Sequence, residues 1–187
     1  MIDLNSILKK NEKKINMNKL FKDNTTVGVI ISRMQVPYLT DSHINMIETV
    51  KQRHNKLLIL LGVSNKIDLK NPFSFDFRKQ MIEPFLRTHD HIIPIRDNEN
   101  NSDWVTHVDM LIGAFLYENE TAILYGGRDS FIPFYKKDYG KYETIELLPT
   151  DNDSGTELRT LATTILPRYS RDVANAIIYT LNKVLTK

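Results

Sequence analysis

A threonine and a histidine stand three residues apart in Thr40-Asp41-Ser42-His43, where an apolar run gives way to a helix-like pattern. A hydroxyl and an imidazole at a helix N-terminus meet the positive end of the helix dipole, which is a ready seat for phosphate. An α-phosphorus under attack gathers negative charge on its equatorial oxygens and on the departing pyrophosphate. Fixed donors stabilise that charge without covalent chemistry. Thr40, His43 and the upstream Arg33 are donors of this kind. The plain alternative is that His43 is a surface residue of the helix's first turn.

Four further loops carry chemistry-bearing residues. Lys70-Asn71-Pro72-Phe73-Ser74, with Arg78 beyond it, offers a cation that could reach a phosphate, or is an ordinary helix start. Asp97 to Trp104 holds the one tryptophan of the chain. Its indole could stack on a flat heteroaromatic ring, with extra attraction for a cationic pyridinium, or could simply anchor a core. Gly126-Gly127-Arg128-Asp129-Ser130 lets a ligand or another backbone come close, or is a turn. In Asp153-Ser154-Gly155-Thr156-Glu157-Leu158-Arg159, the residues Ser154, Thr156 and Arg159 are spaced to converge on one polyphosphate. Ser154 with Glu157 also fits a capping box.

The elements that must position these loops follow from periodicity. Continuous apolar runs predict buried strands at Thr25–Ser32, Lys56–Val63, His91–Ile95, Thr121–Tyr125 and Tyr142–Leu148. Helical spacing predicts helices at Ser42–Arg53, at Ser74–Leu86 (capped by Ser74 and ended or kinked by Pro84), and at Ser102–Leu116 with Ser102 as N-cap. Two C-terminal helices are expected near Ser154–Thr164 and Ser170–Leu185. Apolar strands alternating with helices make a doubly wound, Rossmann-like α/β fold with a parallel sheet. Ligands in such folds bind beyond the carboxyl ends of the strands, where these loops lie.

Composition sets the outer bounds. The chain has 187 residues, enough for one domain with a real core, and is 41% hydrophobic and 26% charged. A net charge of +2 gives no reason to expect nucleic acid as a partner, and the longest apolar run, Leu57 to Val63, is too short to span a bilayer. The absence of cysteine removes thiolate metal sites and cysteine nucleophiles, and fits a cytoplasmic protein. Residues 1–24 form a lysine-rich extension without the apolar stretch of a signal peptide, and residues 25–187 form the domain.

Taken in order, five stretches resemble the archaeal-type nicotinamide mononucleotide (NMN) adenylyltransferases, members of the nucleotidyltransferases with an H/T-x-G-H signature. They are SRMQ with TDSH, KNPFSFDFRKQMI, IRDNENNSDWVTHVDML, SGTELR and ILPRYSRDVANAIIYTLNKV, and together they run from about residue 26 to 185. The resemblance implies transfer of AMP from ATP to NMN, giving NAD and pyrophosphate. It implies that His43 binds ATP phosphates and stabilises the pentavalent transition state, with Thr40 at the first signature position. Ser154, Gly155, Thr156 and Arg159 would form the second phosphate motif, and Ser32, Arg33, Met34 and Gln35 would contact nucleotide through main chain. Arg33, Asp97, Asn101 and Trp104 would hold NMN, with Trp104 on the pyridinium ring. Lys70 would be a catalytic cation, although it stands where the family usually has another residue. Magnesium would accompany ATP, no metal-ligating residue is assigned to the chain, and a homo-oligomer is expected. The chain departs from the family pattern at Ser42 and Ser32, both usually glycine, and in a longer loop from Gln35 to His43. These departures keep two alternatives open: a different phosphorylated acceptor, or a nucleotide-binding sensor with little turnover.

Overall fold

The computed structural model describes residues 23–66, 68–127, 130–149 and 155–165. The basic extension and the helix expected at Ser170–Leu185 lie outside the described residues, apart from the end of the extension at residues 23 and 24. Five strands, β1 (Asp23–Ser32), β2 (His54–Val63), β3 (His91–Arg96), β4 (Thr121–Gly126) and β5 (Glu143–Glu146), form one sheet in the order β3-β2-β1-β4-β5. Every pairing is parallel. The helices are α1 (Asp41–Arg53), α2 (Phe75–Ile82), α3 (Asn101–Phe115), α4 (Ile132–Lys137) and α5 (Gly155–Ile165). The chain winds outward from β1 to β3, then returns to the centre for β4. A crevice therefore opens between the carboxyl ends of β1 and β4, the switch point of a doubly wound sheet.

The middle of β1 and most of β2 are buried on both faces, as continuous apolar runs require. Strands β3 and β5, expected to be buried too, are largely half-buried or exposed because they lie at the sheet's edges. Successive side chains of a strand point to opposite sides. Val27, Val29 and Ile31 of β1 join Leu58 and Leu60 of β2 in a core under α3 and α4, with Val105, Val108 and Ile112. Ile30 of β1 and Leu57, Ile59 and Leu61 of β2 face the other way, onto Ile47 and Val50 of α1 and Met81 and Ile82 of α2. Gly28 is required by this packing, because a Cβ there would stand 2.3 Å from Val50 Cγ1 and 2.7 Å from His54 Cδ2.

Several boundaries differ from the sequence expectation for local reasons. Helix α1 starts at Asp41, with Thr40 as its N-cap. The cap of α3 is Asn100 rather than Ser102: the Asn100 side chain accepts from the Ser102 N–H at 2.9 Å. Ser74 caps α2 as expected, and α2 ends at Ile82, where Glu83–Phe85 tightens into a 3-10 turn around Pro84. Strand β5 is shorter than Tyr142–Leu148, since its one partner, β4, ends at Gly126 opposite Glu146. Helix α4, with Pro133 in its first turn, is absent from the sequence expectation because it has too few residues to show a period.

Candidate active site

The first loop is shaped by a strained residue. Met34 has φ 43°, a left-handed conformation that costs a non-glycine residue about 1 kcal/mol or more. Its side chain is 3% exposed and packs in the α1-side core, which offsets that cost. The turn is closed by the Val36 N–H donating to Met34 O at 2.9 Å. Gln35 is buried and pins this loop to the second one: its Nε2 donates to Phe73 O at 3.2 Å, and its Oε1 accepts from Phe73 N at 3.1 Å.

Between these loops, the start of α1 and the start of α5 lies a cleft of about 890 Å³ at the carboxyl edge of the sheet. Ser32, Arg33, Met34, Gln35 and His43 line it from the β1 side, and Gly155, Thr156 and Arg159 from α5. His43 and Arg159, far apart in the sequence, thus border one cavity. Arg159 donates to Gln35 O at 3.2 Å and to Thr156 Oγ1 at 2.9 Å, and burial lowers its guanidinium pKa. The α5 turn is close enough that a Cβ on Gly155 would lie 3.5 Å from Val36 Cγ1.

Asp97, Asn101 and Trp104 line the same cleft. Arg33 crosses between the loops, donating to Asp97 Oδ1 at 2.6 Å and to Asn71 Oδ1 at 3.1 Å. Trp104 is half-buried against two rings, Phe134 at 5.4 Å edge-on and Phe131 at 6.1 Å. Core anchor and cavity wall are therefore one position, since the indole packs on α4 and also borders the cleft.

Among the residues singled out in the sequence as catalytic, Thr40 and Lys70 do not border the cleft. Thr40 is 4% exposed and lies beside His43, its hydroxyl 2.8 Å from His43 Nδ1. Lys70 is exposed, in a turn built on Asp68. The Asp68 carboxylate accepts from the backbone N–H groups of Asn71 at 2.7 Å and Lys70 at 2.8 Å, and the Asn71 bond leads in holding its pKa below the ordinary carboxylate value. Ser154, together with its expected capping box, lies outside the described residues, as do Arg128 and Asp129. In the glycine pair, Gly127 borders the cleft, whereas Gly126 makes room for a side chain: a Cβ there would stand 2.5 Å from Ser130 Oγ.

Arg78 is the residue whose place the sequence concealed. Its side chain is 1% exposed. Nε donates to Phe73 O and Ser74 O at 3.2 and 3.1 Å, and Nη1 to Gly62 O at 2.8 Å and to Arg33 O. Burial, and then the charge of Arg33, bring its pKa from 12.5 down to about 10. One signal was present: Arg78 shares the spacing of Met81 and Ile82, which puts a cation on the apolar face of α2.

A parallel sheet whose switch-point cleft is bordered by imidazole, guanidinium and hydroxyl groups defines a nucleotide-binding α/β protein of the nucleotidyltransferase class. Residues 38–161 match the cytidylyltransferase-like family model, and the chain belongs to that family. It is 28% identical over 136 residues to the nicotinamide-nucleotide adenylyltransferase of Methanococcus aeolicus, covering 71% of this chain and 74% of that protein. Its fold is similar to that of a bifunctional NMN adenylyltransferase/ADP ribose pyrophosphatase from Francisella tularensis, with a TM-score of 0.66, 24% identity, and 75% of this chain against 42% of that one. A structure of that bifunctional enzyme complexed with AMP and a Mn ion gives a TM-score of 0.64, 25% identity and the same coverage. The NadR protein in complex with NAD and AMP-PNP shares the fold at 14% identity and a TM-score of 0.57, over 77% of this chain and 44% of that one. The chain thus spans less than half the length of these solved structures. Among the described residues, no helix is long and apolar enough to cross a membrane.

Proposed function

We propose that this chain transfers the adenylyl group of ATP to nicotinamide mononucleotide, forming NAD and pyrophosphate. The observation that carries the reading is that one cleft is bordered both by His43 and Arg159 and by Asp97, Asn101 and Trp104. Polyphosphate suits the first pair of residues and a flat, cationic ring suits the indole of the second group. The similarity to the Methanococcus aeolicus adenylyltransferase supports the same choice of acceptor.

In this reading the acceptor's 5′-phosphate oxygen attacks the α-phosphorus of ATP in line. The bond from that phosphorus to the bridging oxygen breaks, and pyrophosphate leaves with the electron pair. The acceptor is already an anion, so no residue need act as a covalent nucleophile. Catalysis is positioning and charge stabilisation by His43, Arg159 and the amides at the start of α5. Lys70 would contribute only if its turn carried it to the phosphates. Magnesium would enter on the ATP phosphates, as part of the substrate. Among the described residues, no group of three or more His, Asp or Glu could hold a metal ion.

The test is incubation with magnesium, ATP and a panel of mononucleotides, scoring pyrophosphate and dinucleotide. NAD formed preferentially from NMN supports the reading. Pyrophosphate formed only with another acceptor would reassign the substrate. Nucleotide binding with no pyrophosphate from any acceptor would mark a sensor.

A further inference from the structure

A buried guanidinium is expensive, and Arg78 makes no ion pair with a carboxylate among the described residues. Met81 and Ile82, on the same face of α2, show that an apolar side chain would suit the packing. What an apolar side chain cannot do is bind carbonyls. Where a parallel strand outruns its neighbour, carbonyl oxygens at the carboxyl edge lose their ladder partners, as beyond the Ser32–Leu61 pair of β1 and β2, and can be left bare beside the crevice. Those partial negative charges repel a polyphosphate. Arg78 takes up two of them, Gly62 O in β2 and Arg33 O just beyond β1, and both of these residues border the cleft.

We propose that Arg78 is a positioning residue of the phosphate site: it holds the Arg33 and Gly62 carbonyls away from the bound polyphosphate and sets a positive charge behind them. The proposal rests on the nucleotide-binding reading of the cleft and deepens it. Arg78 does not border the cleft, so it acts through the main chain and through its field. Two observations agree with this. The charge of Arg33, which borders the cleft, adds to burial in lowering the Arg78 pKa even while Arg33 is paired with Asp97, so Arg78 lies within electrostatic reach of a cleft residue. The Arg78 bonds to Phe73 O and Ser74 O also join the second loop, which Gln35 already ties to the first, into the same frame.

The experiment compares wild type, Arg78→Lys and Arg78→Met in the full chain. Magnesium–ATP affinity is measured by calorimetry, KM and kcat by steady-state kinetics, and folding by circular dichroism and thermal melting. Folded Arg78→Met should bind ATP about tenfold more weakly or worse, with the acceptor KM changed by less than about twofold. Arg78→Lys, with its charge on a single nitrogen, should recover part of the loss. A purely structural arginine would instead lower the melting temperature and leave ATP affinity per folded molecule unchanged. Folded variants with wild-type ATP affinity, or two variants that only unfold, overturn the proposal. Wild type that binds ATP but makes no dinucleotide would sink the adenylyl-transfer reading alone, because ATP affinity still judges Arg78. Wild type that binds no ATP sinks both.

Discussion

The backbone N–H of Thr40 donates to Nδ1 of His43 at 3.3 Å, and the Thr40 hydroxyl stands 2.8 Å from the same nitrogen. An amide can only donate, so Nδ1 is the acceptor, and the proton of the neutral imidazole is on Nε2. The helix cap thereby favours the tautomer that the proposed phosphate contact of His43 requires. His43→Ala should lower kcat by about a hundredfold or more, as the loss of a fixed transition-state donor does, and cost only about 1 kcal/mol of stability through the cap. Pyrophosphate release and thermal melting check both halves. Near-normal turnover would remove His43 from the chemistry.

Under the proposed function Thr40 is expected to act through His43 rather than on substrate, since its hydroxyl stands at His43 Nδ1 and it does not border the cleft. Thr40→Ala leaves the backbone donor in place, so kcat should drop about tenfold with little change in ATP KM. Thr40→Ser should restore it. Equal effects of the Ala and Ser variants would contradict the orienting role.

Arg159 ties α5 to the first loop through Gln35 O and holds Thr156 Oγ1. Arg159→Lys keeps the charge but loses the fork, so ATP KM should rise about tenfold. Unchanged ATP kinetics in that variant would detach α5 from the phosphate site.

Trp104 packs on Phe131 and Phe134 and borders the cleft, where the proposed function gives it the acceptor's ring. Trp104→Ala should raise the acceptor KM about tenfold, from about 1–2 kcal/mol of lost ring and cation–π attraction, and leave ATP affinity within about twofold. Trp104→Phe should keep most of the binding. Equal losses for both substrates would mean that the indole only supports the fold.

Gly28→Ala is the control for fold against chemistry. Its new methyl meets Val50 and His54, far inside the distance a real contact allows. We expect a loss of about 2 kcal/mol in denaturant unfolding, with KM values unchanged in the folded fraction. Altered KM values would show that the core feeds strain into the cleft.

The parallel architecture is legible in the chain because its cause is local. Val27–Ile31 and Leu57–Leu61 have no polar side to turn toward water, so they must lie in a sheet covered on both faces. Ser74 and Pro84 mark the ends of α2 by the same short-range logic. Because ligand sites sit at the carboxyl edge of such sheets, the loops around Arg33, His43, Asp97 and Arg159 could be named before their geometry was known. What the tertiary structure decided is how those loops meet. Arg159 reaches Gln35 across 124 residues, Arg33 reaches Asp97 across 64, and Arg78 reaches the carbonyls of Gly62 and Arg33 across 16 and 45. Thr40 was legible as a polar residue at a helix start, but its hydroxyl faces the imidazole and the cleft lies elsewhere. The physical reason is one of range. Propensity, capping and periodicity act over a few residues, whereas the direction of a side chain into a shared cavity depends on strand order and register, which exist only once distant segments have packed.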